Sequence, residues 1–171
     1  LVYQMLSTDE GATWQRRVNI GVSGGYHIVN NARVIRTSKG RMIIPTAHVS
    51  GAIDQEYNLQ HVFCLYSDDD ALSWKQSNTL SLDNEPLMEP GVAECADGSL
   101  YMIIRTKLGT SYEARSHDGG ATWEGLRSSG LPSPAAPSTV VRDPNSSDLW
   151  MFWCPNAKGD WKGRTPQVCA I

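Results

Sequence analysis

The sequence predicts an all-β fold, a β-propeller of which this chain holds about three blades. Three observations predict it. An S-x-D-x-G-x-T-W element stands in full at residues 7–14 and 116–123, and in a worn form at residues 67–74, where Ala71 replaces Gly and Ser73 replaces Thr. The copies begin roughly 50–60 residues apart, a spacing that belongs to repeat architectures. Strand-like runs bounded by Gly, Asp and Ser turns fill the intervals, and no helical period competes over a useful length. Strands this short must stack on sister units, and four-stranded units repeated around an axis make a propeller.

The residue types of the element follow from a closed turn with an anchor. Gly takes a positive φ that other residues resist. The Ser and Asp side chains bond the backbone of their own turn. The terminal Trp is large enough to wedge between neighbouring layers. Asp9, Asp69 and Asp118, with Trp14, Trp74 and Trp123, are therefore read as structural, because the same Asp serves the turn in every copy.

Taken in order, residues 1–20 hold the first turn and its two flanking strands. The second unit opens with a strand over residues 26–35, turns at Ser38-Lys39-Gly40 and returns through residues 41–47. Residues 50–60 form a connection longer than a tight hairpin needs, a candidate site loop. The third unit runs through residues 91–95, the turn Ala96-Asp97-Gly98, residues 99–105, a loop at 106–111 and a strand from Tyr112 into the last copy. The fourth has strands at 138–142 and 149–153, a loop at 158–163 and a strand at 167–171. Unit boundaries fall near residues 20–25, 80–88 and 130–137.

Composition narrows the function. The 171 residues carry a net charge of −3, and no basic block exceeds Arg16-Arg17, so the cationic stripe of a nucleic-acid binder is missing. No apolar run approaches the length of a membrane-spanning helix. The four cysteines are widely spaced in apolar runs, with neither metal-type nor disulfide-framework spacing, and are expected as buried free thiols. The chain opens within a strand and closes on a run like those that precede each turn copy, so it is expected to be a piece of a longer protein.

The turn element resembles the Asp box of the sialidase (neuraminidase) superfamily. The resemblance extends to Glu89-Pro90-Gly91-Val92-Ala93-Glu94-Cys95-Ala96-Asp97-Gly98 with the strand ending in Ile103-Ile104-Arg105, which is similar to the segment carrying the catalytic glutamate. Gly163-Arg164-Thr165-Pro166 is similar to the segment that supplies a substrate-binding arginine, and residues 30–35 and 41–45 resemble the second blade. The resemblance implies a six-bladed propeller that releases terminal sialic acids from glycans with retention, without metal or other cofactor. Three arginines would clamp the substrate carboxylate through charge-assisted bonds. A Tyr activated by a Glu would serve as nucleophile, the known exception to the two-carboxylate pattern, and an Asp as acid/base.

By position Glu94 is the first candidate for the Tyr-activating glutamate, since it interrupts an apolar strand and buried carboxylates need a reason. Glu89, at the start of that strand, is the fallback. Arg164 is the candidate clamp arginine. The resemblance would put a second one near Leu108-Gly109-Thr110, where no Arg stands, and Arg105 could reach the site from its strand end. His48 and Tyr112 flank the two candidate loops and are glycan contacts or plain packing. The first arginine and the acid/base Asp would precede Leu1 and the Tyr would follow Ile171, so the chain by itself is expected to be inactive. The partner is a sialylated glycan or another acidic sugar; a secreted or periplasmic setting suits a bacterial hydrolase of this kind. Two other readings stand beside the sialidase: a non-catalytic Asp-box propeller that binds glycan or protein, and a propeller hydrolase or lyase for another acidic sugar.

Overall fold

The computed structural model describes residues 2–21, 24–49, 59–157 and 164–171. Every described element is a strand, and the strands form four antiparallel sheets in chain order. The first pairs β1 (Tyr3–Leu6) with β2 (Gln15–Asn19). The second holds β3 (Tyr26–Ile28), β4 (Ile35–Arg36), β5 (Met42–Val49), β6 (His61–Ser67) and β7 (Lys75–Gln76), with β3 and β4 both pairing β5. The third is a plain meander of β8 (Met88–Glu94), β9 (Leu100–Arg105), β10 (Thr110–Ser116) and β11 (Glu124–Pro132). The fourth orders β12 (Thr139–Arg142), β13 (Leu149–Trp153) and β14 (Val168–Ala170). The sheets follow one another as blades of part of a propeller, with each turn copy joining the last two strands of its unit.

One expected strand is broken. The sequence suggests a single strand over residues 26–35, but β3 and β4 are separate, and Ala32 between them has φ 56°. The Asn30-Asn31 pair favours such a departure, since Asn bonds local backbone and tolerates the left-handed region. The break places Arg33 outside the ladder.

Alternation along the strands decides which sheet each residue meets. On the third sheet, Val92, Leu100, Met102, Ile104 and Ala114 share a buried cluster with Ile43, Ala47, Val62 and Cys64 of the second sheet. The intervening Ala93, Tyr101 and Ile103 cluster with Val140 of the fourth. Ile44, Phe63 and Leu65, on the other face of the second sheet, pack with Ile20 beside the first. The cysteines are free, with Cys64 and Cys154 buried as expected; Cys169, on the outer strand β14, is exposed.

The turn copies close as their chemistry requires. In the first, Thr13 donates its N–H to Asp9 Oδ1 at 2.9 Å and its hydroxyl to Oδ2 at 2.5 Å, while Gly11 N–H donates to Ser7 Oγ at 2.7 Å. The same three bonds recur around Asp69 and Asp118. Trp123 is buried in the core between the second and third sheets. Trp74 reaches the first sheet, its Nε1–H donating to Gln4 Oε1 at 2.7 Å. Trp14 is 59% exposed, so the wedge expected of it is not made among the described residues.

Candidate functional site

The meander gives each sheet two unlike ends. One carries the tight turns: those between β4 and β5, β8 and β9, β12 and β13, and the turn copies. The other carries the connections between β5 and β6, β9 and β10, and β13 and β14, the second of them only residues 106–109. Neighbouring sheets touch at this loop end, where Leu87 N–H donates to Gln60 O at 2.9 Å and Gly109 packs on the Ala157 carbonyl. Loops of this kind, held on a rigid scaffold, are where sites are built.

The structure separates the two candidate glutamates. Glu94 ends β8 at the turn end, where it is 9% exposed. Its carboxylate accepts the Ser38 N–H at Oε2 and the Ser38 hydroxyl at Oε1, both at 2.7 Å, and Arg142 Nη1 lies 3.9 Å from Oε2. It joins the turn between β4 and β5 of the second sheet to the end of β8 in the third, with Arg142 at the end of β12 in the fourth within ion-pair distance. Nothing brings it to Arg105 or Arg164, and its burial has this structural reason.

Glu89 stands at the loop end of the same strand. Ladder register shifts between Met88 and Gly91, a bulge, and Glu89 has φ 44°. Bulges re-aim side chains, and a left-handed non-glycine residue is strained. Here the carboxylate Oε2 meets Arg105 Nη1 at 2.5 Å, with both side chains about four-fifths buried. Arg105 ends β9, so pairing across the ladder puts the two groups at one rim.

Arg164 lies at the same end on the fourth sheet, exposed, with Nη2–H donating to the Ala135 carbonyl at 2.8 Å. His48 also sits at the loop end, its ring 4.7 Å from His27 and 6.2 Å from Phe63. Burial, together with His48, pushes the His27 imidazole below its usual value. Tyr112 packs against the core between the second and third sheets. The candidate loop at residues 50–60 falls mostly, and that at 158–163 wholly, outside the described residues.

Arg33 is the residue that sequence reasoning missed. It is 7% exposed, and its Nη1 has no hydrogen-bond partner among the described residues; Arg105 Nε is in the same position. Burial pulls the Arg33 guanidinium below the ordinary arginine value and the charge of Glu89 opposes this. The guanidinium crosses the face of Gly91, where a Cβ would stand 2.2 Å from Nη1. A glycine inside a strand was the available signal, since it marks a close approach.

The chain matches the BNR repeat-like domain family over residues 1–166. It belongs to that family. No curated protein sequence matches it. Among solved structures, the BNR repeat-like chain superposes on a Dyadobacter fermentans protein of unknown function with a TM-score of 0.68 at 22% identity, covering 99% of this chain and 52% of that one. The leech intramolecular trans-sialidase gives 0.71 at 21%, covering 90% and 24%. The Trypanosoma rangeli sialidase gives 0.67 at 19%, covering 92% and 27%. These likenesses establish a shared sialidase-type fold, and the BNR repeat-like chain spans about half of the first protein's length and about a quarter of the other two.

Proposed function

We propose that this chain supplies part of the active site of an exo-α-sialidase, a retaining glycoside hydrolase, with Glu89 rather than Glu94 as the glutamate that activates the nucleophile. Arg105 and Arg164 clamp the substrate carboxylate. The observation that carries this reading is the Glu89–Arg105 pair at the loop end, aimed by a bulge and a strained backbone. Glu94, by contrast, is engaged at the opposite end. The chemistry fits the parts. A tyrosine from elsewhere in the protein would give its proton to Glu89, and an incoming carboxylate matches the guanidinium of Arg105 in charge and planarity. The related folds include proteins described as sialidases, which supports a sialylated glycan as substrate.

The test is hydrolysis of a fluorogenic α-sialoside by the full-length protein and its Glu89→Gln, Glu94→Gln and Arg164→Ala variants. Glu89→Gln is expected to lose about a hundredfold or more in kcat, and Arg164→Ala to raise KM. Loss of kcat in a folded Glu94→Gln with Glu89→Gln unaffected would reverse the assignment. A folded full-length protein that binds the sialoside without cleaving it would make this a binding propeller.

A further inference from the structure

Arg33 poses a physical problem that the proposed chemistry leaves unsolved. Burying a guanidinium is costly unless its donors are paired, and most buried polar atoms find partners. Here Nη1 is buried and has no hydrogen-bond partner among the described residues, and the residue is more than nine-tenths buried. The seat is also specific: it exists because the strand break at Ala32 releases Arg33 from the ladder and because Gly91 has no side chain. The anionic group that acts on Arg33 is Glu89, two residues along β8 from Gly91. Glu89 in turn is held by Arg105.

Arg105 has two calls on it. As a clamp it must take the carboxylate of the incoming sugar, and in doing so it leaves Glu89. A largely buried carboxylate stripped of its cation is strongly unfavourable. It would also be free to turn away from the nucleophile it serves. We propose that Arg33 is a positioning residue: seated on Gly91, it takes over Glu89 when an acidic substrate draws Arg105 away, holding the carboxylate in place for the reaction. Its free Nη1 is the donor kept for that moment. This rests on Glu89 being the site glutamate, and it adds a cation from the second sheet to the two proposed from the third and fourth.

The first experiment needs no substrate. In a crystal structure of the full-length Arg105→Met variant, Glu89 is expected to bond the Arg33 guanidinium. A Glu89 carboxylate turned to solvent, with Arg33 Nη1 still unpaired, would overturn the proposal. The second is kinetic, with the fluorogenic α-sialoside. Arg33→Met is expected to lower kcat by about tenfold or more while KM stays within about twofold, and Arg33→Lys to recover most of the loss. Gly91→Ala, which keeps the charge and blocks its seat, is expected to behave like Arg33→Met. A rise in KM at constant kcat, or wild-type kinetics in a folded Arg33→Met, would refute the role. Should Arg33→Met fail to fold, Arg33→Lys and the Arg105→Met structure still decide. A full-length protein inert on sialosides would remove the sialidase reading alone, since the Arg105→Met structure judges Arg33 separately.

Discussion

Glu89 and Glu94 lie five positions apart on one strand and answer to different partners. Glu89 meets a guanidinium at a partly open rim; Glu94 is hydrogen-bonded to Ser38 on the neighbouring sheet and is nearly closed off from water. A buried carboxylate bonded by a backbone N–H and a hydroxyl is a structural tie whose loss leaves those donors unsatisfied. Glu94→Gln is therefore expected to lower unfolding free energy by about 1–3 kcal/mol, read from denaturant unfolding of the full-length protein, with full activity per folded molecule. Equal stability with reduced kcat would show the roles to be the other way round.

The turn copies set the next scale. Ala71 occupies the position that Gly11 and Gly120 hold in the other two, and it takes the same left-handed backbone, φ 66° against 88° in both glycines. An L-residue in that region costs about 1 kcal/mol or more relative to glycine. Ala71→Gly is expected to stabilise by about 1 kcal/mol, and a neutral or destabilising result would show that Ala71 packs better than its exposure suggests. The Asp residues predict an acid response. Hydrogen bonds from Thr13, with Ser7, hold Asp9 down to about 2 from an ordinary 3.8, and Ser73, with Ser67, does the same for Asp69. A carboxylate depressed in the folded state stabilises above its unfolded value and loses that stabilisation as pH falls toward its folded one. The melting temperature should thus fall between pH 4 and pH 2, and the double variant Asp9→Asn, Asp69→Asn should flatten that fall while melting lower at pH 7. An unchanged slope in the double variant would assign the acid response to other groups.

At the scale of the whole molecule, sheets stack face to face and the outer faces of the stack are open. Tyr3, Met5, Leu6 and Trp14 are exposed on the first sheet, and Val141 and Phe152 on the fourth. Apolar faces and unpaired strand edges of this kind favour association. The 171-residue chain produced by itself is expected to self-associate at micromolar concentration, read by sedimentation velocity. A monodisperse, cooperatively melting monomer would contradict this.

The sequence by itself determined the repeat, the turn chemistry and the four-strand unit, because these rest on local facts: the left-handed tolerance of glycine, the reach of Ser and Asp to their own backbone, and alternation along a strand. It also delivered both glutamates and both arginines as candidates. It put Glu94 ahead of Glu89 because a carboxylate interrupting an apolar strand needs a reason, whereas the difference between the two lies in which end of the blade each occupies and what the neighbouring sheet offers there. Ser38 and Arg142, 56 and 48 positions from Glu94, settle its environment, and no local pattern announces them. Arg33 was hidden for the same reason. Its burial depends on a strand break in one sheet meeting a missing side chain in the next, and only the packing of sheets brings Gly91 beneath it.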